Sequence, residues 1–172
     1  MVTGGNTGKF TESLTDDLKQ TWGPLSYLRG AVDVLRDLTT YDVLASFDGG
    51  AWERFRILNL FAANGGSSGG GLSVAPKASL DDGVFDVVLI QDGSPVDLAH
   101  LTATYALADF HQHGLILHRQ ARELRIRSPD EFPMTVDGDA QGDLPPLTIE
   151  CLPKAIRAVF GETPSGARAA GD

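Results

Sequence analysis

A chain of 172 residues, 42% hydrophobic and 22% charged, has the composition of one well-packed globular domain and not of a disordered polymer. Its formal net charge of −9 excludes nucleic acid as the main partner, because neutralising phosphates takes a basic surface. The same acidity works against docking to anionic lipid over a whole face, although a local basic patch can still serve.

Residues 1–14 are rich in Gly, Thr and Ser and read as a loop, without the charged-then-apolar form of a signal peptide. Thr15 is the predicted N-cap of a helix whose first turn holds Asp16 and Asp17. Gly23-Pro24 breaks that run, and a second helix follows with Leu25, Leu28, Val32 and Leu35 on one face. Past Leu38 the period shortens. Residues 41–47 (YDVLASF) and 52–61 (WERFRILNLF) flank Asp48-Gly49-Gly50, which predicts a hairpin. Further strands are predicted at 84–90, 122–127, 147–151 and 155–160, the last apolar on both faces and so expected to be mostly buried. One helix is predicted at about 95–110, with Leu98, Leu101 and Tyr105 on a stripe and Pro95 in its first turn. Residues 161–172 read as a disordered tail. The expected organisation is a loop and helical lead-in at 1–38, a β domain at 39–160 and the tail. The fold class is mainly β (α+β): an antiparallel β-sandwich-like domain with a short helical lead-in and one inserted helix.

Cys151 is the one cysteine, so there is neither an internal disulfide nor a thiolate zinc cluster, and a reducing cytoplasm is the expected compartment. No apolar run approaches the roughly 20 residues that span a bilayer, which leaves peripheral membrane contact. Gly4-Gly5-Asn6-Thr7-Gly8-Lys9 looks like a phosphate loop, but Thr3 and Phe10 stand where that pattern needs Gly and Ser or Thr. Asn64 to Gly71 is a glycine run after a strand, equally suited to a flexible connection and to backbone amides converging on an anion. Asp81-Asp82-Gly83 is a turn before a strand. Its carboxylate and nearby carbonyls form an oxygen donor set suited to magnesium, though a plain turn explains it as well. Thr135-Val136-Asp137-Gly138-Asp139 is a strand ending in a turn with two acids, where turn chemistry alone also suffices. His100, His111, His113 and His118 have no cysteine or carboxylate pattern around them; His111-x-His113 has metal-ligand spacing but reads better as an exposed helix end. Arg119, Arg122, Arg125 and Arg127 form the one basic cluster, a candidate for phosphate or lipid headgroups.

Taken in order, these segments resemble the diacylglycerol kinase and sphingosine kinase-like lipid kinase family of bacterial type. The resemblance runs through MVTGGNTGKFTESLTDDLKQTWGPLSYLRGAVDVL, NGGSSGGGLSVAPKASLDDGVFDVVLI and VDGDAQGDLPPLTIECLPKAIRAVF, and so covers nearly the whole chain. It implies a two-domain enzyme whose N-terminal domain holds ATP through a Gly-Gly-Asp-Gly-Thr segment, absent from this sequence, and whose second domain is a β-sandwich, the part that this chain resembles. On that resemblance the chain is the C-terminal half of an ATP-dependent lipid kinase, inactive by itself, with diacylglycerol as the default substrate. Its location would be cytoplasmic, peripheral at the inner face of the membrane. The family's magnesium position falls on Asp82, with Ser79 and Val84 contributing carbonyls, and its proton acceptor falls on Asp139, where glutamate is frequent. The implied partners are a lipid substrate, the nucleotide-binding domain and the membrane surface, with a homodimer left open. Two other readings stand beside it: a non-catalytic lipid-binding or regulatory β domain, and an NAD kinase-like relative, against which the DDG and DGD segments speak.

Overall fold

The computed structural model describes residues 1–6, 38–66, 74–106, 113–143 and 146–157. The helices read between 15 and 38, most of the glycine run, His111 and the tail lie outside the described residues. The described strands are β1 (Val2–Gly5), β2 (Tyr41–Phe47), β3 (Glu53–Ala63), β4 (Phe85–Gln91), β5 (Ile116–Ala121), β6 (Glu123–Arg127), β7 (Pro133–Val136), β8 (Asp139–Asp143) and β9 (Leu147–Glu150). Helix α1 (Pro95–Ala106) lies between β4 and β5. Every pairing is antiparallel.

The eleven-residue β3 is the spine. Its first half, Glu53 to Ile57, pairs with β2, and its second half, Asn59 to Ala62, pairs with β1. A register shift between Ile57 and Asn59 marks the change, and β4 runs along the stretch on both sides of it. Such an irregularity bends a strand and increases its twist. The sheet therefore forks into one wing of β3, β2, β6 and β9 and another of β8, β7, β1, β3, β4 and β5. Buried Asn6 stitches the fork: its Nδ2 donates to the carbonyls of Thr39 (2.7 Å) and Leu58 (2.9 Å), and its Oδ1 accepts from the Thr39 amide (2.9 Å).

Alternate residues of both wings meet in one core that includes Val43, Ile57, Leu60, Val87, Leu89, Leu124, Ile126, Phe132 and Met134. Burying each such side chain contributes about 1.5–3 kcal/mol, which is what holds the wings face to face. A smaller cluster of Phe61, Val74 and Val88 lies on the other face of β3 and β4. Where β5 turns into β6, the Asp48 carboxylate accepts the amides of Arg122 (2.7 Å) and Glu123 (2.9 Å). Thus the turn of the β2–β3 hairpin, with Asp48 at φ 50 and Gly49 at φ 72, also fastens the corner.

Two expectations are corrected. Residues 2–5, read as loop, form a central strand, so the sheet begins well before residue 39. The glycines there serve close packing: a Cβ on Gly4 would lie 2.5 Å from the Phe132 ring, and Gly5, at φ 94, lies against the Leu58 carbonyl. The strand expected at 155–160 is absent over residues 155–157, where Ile156 is 86% exposed; its remainder lies outside the described residues. β5 and β8 were not anticipated. The histidine-bearing stretch before Ala121 was read as a helix end, and Asp139–Asp143 has no apolar alternation.

Candidate functional site

Register gathers three of the segments that carry chemistry at one end of the sheet. Asp139 pairs with Val136, Val136 with Val2, Val2 with Ala62 and Ala62 with Val87, a row across β8, β7, β1, β3 and β4. The Asp81-Asp82-Gly83 turn directly precedes β4, and the glycine run directly follows β3. Four strand spacings separate β8 from β4, roughly 19 Å measured along the sheet. Asp139 and Asp82 thus stand at the same end of the sheet, four strand spacings apart along it. No group of three or more His, Cys, Asp or Glu side chains suited to a metal ion occurs among the described residues.

Asp137 (φ 49) and Gly138 (φ 96) form the two-residue turn between β7 and β8. Positive φ at both central positions is what favours Asp-Gly in such a hairpin. The Asp137 amide donates to the Met1 carbonyl at 2.9 Å. Asp139, the first residue of β8, is exposed, and its carbonyl accepts from Gln141 Nε2 at 3.4 Å.

In the second turn, Asp82 Oδ1 accepts the Val84 amide at 3.0 Å, and Gly83 takes φ 78. Ser79 Oγ donates to Asp81 Oδ1 at 2.7 Å, which occupies its hydroxyl and leaves its carbonyl. What the turn offers is the other Asp82 oxygen and main-chain carbonyls, all hard oxygen donors of the kind magnesium takes.

One arrangement near this rim was not read from the sequence. The Asp86 carboxylate, 2% exposed, meets His118 Nε2 at 2.5 Å and, more distantly, Gln120 Nε2 at 3.5 Å. Asp86, His118 and Gln120 lie at alternate positions of β4 and β5, so they share one face. The signal was there: Asp86 is the one charged residue inside the apolar FDVVLI stretch. His100 Nδ1 and His113 Nε2 lie 3.2 Å apart, and His113 Nδ1 accepts the Leu115 amide at 3.2 Å. In the neutral rings His113 Nε2–H is thus the donor, tying α1 to the approach to β5.

The four arginines do not act as one cluster. Arg119 makes a bidentate pair with Glu53 (2.5 and 2.9 Å), and its guanidinium lies 4.8 Å from the Phe47 ring centre. Arg122 is exposed at the β5–β6 corner, while Arg125 and Arg127 occupy the outward face of β6.

Fold and rim together define a class: a forked antiparallel β domain of sandwich type whose acid-bearing turns share one sheet end. The model of the YegS C-terminal NAD kinase beta sandwich-like domain matches residues 2–160, and the chain belongs to that family. Among curated proteins it is similar to the diacylglycerol kinase of Staphylococcus carnosus (strain TM300), 26% identical over 145 residues, covering 84% of this chain and 47% of that protein. The diacylglycerol kinase of Staphylococcus aureus (strain bovine RF122 / ET3-1) is 23% identical over 145 residues, covering 84% and 46%. Among solved structures, a Bacillus anthracis str. Sterne protein provisionally assigned as a diacylglycerol kinase superposes with a TM-score of 0.61 at 21% identity, covering 88% of this chain and 50% of that one. The chain spans about half the length of the curated relatives it matches and corresponds to their C-terminal part.

Proposed function

We propose that this chain forms the C-terminal, lipid-facing half of an ATP-dependent lipid kinase that acts at the inner membrane surface from the cytoplasm, with diacylglycerol as substrate. The supporting observation is an exposed carboxylate, Asp139, fixed at a strand end by a rigid Asp-Gly turn, in a chain whose family relatives are named diacylglycerol kinases. No helix among the described residues is long and apolar enough to cross a membrane.

In the proposed reaction the lipid hydroxyl oxygen bonds to the γ-phosphorus of ATP, the bond from that phosphorus to the β,γ-bridging oxygen breaks, and ADP leaves. Asp139 accepts the hydroxyl proton as the new bond forms, which a neutral alcohol needs to be an effective nucleophile. The nucleotide-binding half supplies the ATP contacts. Asp82, with the carbonyls of Ser79 and Val84, would hold magnesium; when bound, the ion supplies positive charge that stiffens the turn leading into β4.

The test joins this chain to a nucleotide-binding half and measures phosphatidic acid formation from labelled ATP. The chain alone is expected to give none. Asp139→Asn is expected to lower turnover by about a hundredfold to ten-thousandfold, Asp139→Glu to keep substantial activity, and Asp137→Asn to change it little. Near-normal turnover in Asp139→Asn removes the carboxylate from the chemistry.

A further inference from the structure

The outward face of the wing made by β3, β2, β6 and β9 presents Arg54, Leu44, Arg125, Arg127 and Thr148 at alternate positions. Three arginines of this face are ion-paired, Arg54 with Asp42, Arg56 with Asp92 and Arg125 with Glu123, each at 2.9 Å. Arg127 is held differently. Its guanidinium lies 4.5 Å from the Trp52 ring centre, and among the described residues no carboxylate pairs with it. Stacking uses the face of a guanidinium and leaves its in-plane N–H donors free to point outward in a fixed fork. Beside that fork, Trp52, Arg125, Arg127, Pro146 and Thr148 line a hollow of about 160 Å³ over Ile126 and Leu147. Two arginines and a threonine line it with no Asp or Glu among the lining residues, in a chain of net charge −9.

We propose that this hollow is an oxyanion site that takes a phosphate group. Arg127 is the bidentate donor, Arg125 and the Thr148 hydroxyl complete the contacts, and Trp52 is the wall that keeps the Arg127 fork in place. Planar, bidentate recognition of phosphate is what a stacked arginine does better than a lysine. The phosphate is carried either by a lipid headgroup at a membrane surface or by a soluble phosphomonoester. Nine residues of β3 lie between Trp52 and Ala62, and the ten residue steps span roughly 33 Å, so the hollow is separate from the acidic rim. Its test therefore succeeds or fails independently of the kinase reading.

In the full chain, the Trp52 indole N–H resonance, assigned with Trp52→Phe, is followed during titration with inorganic phosphate and with glycerol phosphate. In parallel, the protein is sedimented with phosphatidylglycerol vesicles and with phosphatidylcholine vesicles. A saturable indole shift supports the site with a soluble ligand. Sedimentation with phosphatidylglycerol but not phosphatidylcholine, without a soluble-ligand shift, supports it with a lipid headgroup. In either case Arg127→Ala should weaken binding about tenfold or more. Arg127→Lys, which keeps the charge and removes the planar fork, should weaken it as well, and it keeps the proposal testable where the alanine variant does not fold. Absence of both responses in the native protein overturns the proposal, and so does binding that is equally strong with arginine, lysine and alanine at position 127.

Discussion

Asp86 is a carboxylate placed where the fold wants an apolar side chain, and its cost is met by His118 and Gln120 reaching across from β5. Removing the hydrogen-bond partner of a buried carboxylate leaves that carboxylate desolvated and unpaired. His118→Ala is therefore expected to destabilise the domain by about 2–3 kcal/mol in urea unfolding, and His118→Gln, which keeps a donor, by clearly less. Equal stability of the alanine variant would show that water or another group satisfies Asp86. Asp82 contrasts with it, being exposed and accepting the local Val84 amide. Magnesium should raise the melting temperature of the native chain, since a ligand bound only by the folded state stabilises it, and Asp82→Ala should abolish that increment. An unchanged increment would remove Asp82 from any metal site. The turns that hold Asp82 and Asp139 were legible from the sequence, because short turn motifs carry their own punctuation; the roles proposed for Asp82, Ser79, Val84 and Asp139 come from the family resemblance. The Asp86–His118 contact was not, because 32 residues separate the partners and only strand register brings them together.

At the scale of elements, the β2–β3 turn does two jobs. It reverses the chain, and through the Asp48 carboxylate it caps two amides at the β5–β6 corner. Asp48→Ala removes that acceptor and also puts a side chain poorly suited to φ 50 at the position, so a loss of about 1–2 kcal/mol is expected by denaturant titration. Asp48→Gly should relieve only the backbone cost, and Asp48→Asn, which keeps both acceptor and left-handed tolerance, should retain most of the stability. A glycine variant as stable as the native protein would reduce Asp48 to a turn residue. Hairpin β2–β3 and strand β4 were legible from their β-branched and aromatic residues and from the Asp48-Gly49-Gly50 turn, whereas β1 was not. Its Thr-Gly-Gly-Asn sequence carries a loop signature, yet these glycines are required by the Phe132 ring and the Leu58 carbonyl. Composition records which residues are small; it does not record what presses against them.

Across the whole molecule, the two wings are joined by the core and, among the described residues, by the ion pair of Arg119 on β5 with Glu53 on β3. Hydrogen bonding to Arg119, aided by its charge, holds the Glu53 carboxyl below its usual range and raises the Arg119 pKa in turn. A carboxylate whose folded pKa is depressed adds stability that is complete above its unfolded value and is lost as pH falls through the folded one. The Glu53 contribution should thus be intact at neutral pH and disappear below the ordinary carboxylate range. The melting temperature of Glu53→Gln should fall less between neutral and acidic pH than that of the native chain, while Asp97, also held low by its hydrogen bonds from Ser94, keeps part of the slope in both. Identical slopes would mean the pair contributes nothing across the wings.

By itself the sequence determined the β-rich class, the central hairpin, the inserted helix and the two acid-bearing turns, since each is written in residues close together along the chain. Tertiary structure alone decided that those turns share one rim, that Asp139 and Asp82 stand four strands apart on it, and that Arg119 and Arg127 part company. The physical reason is that such relations depend on strand order and register, which arise from burying both wings in one core across long stretches of chain.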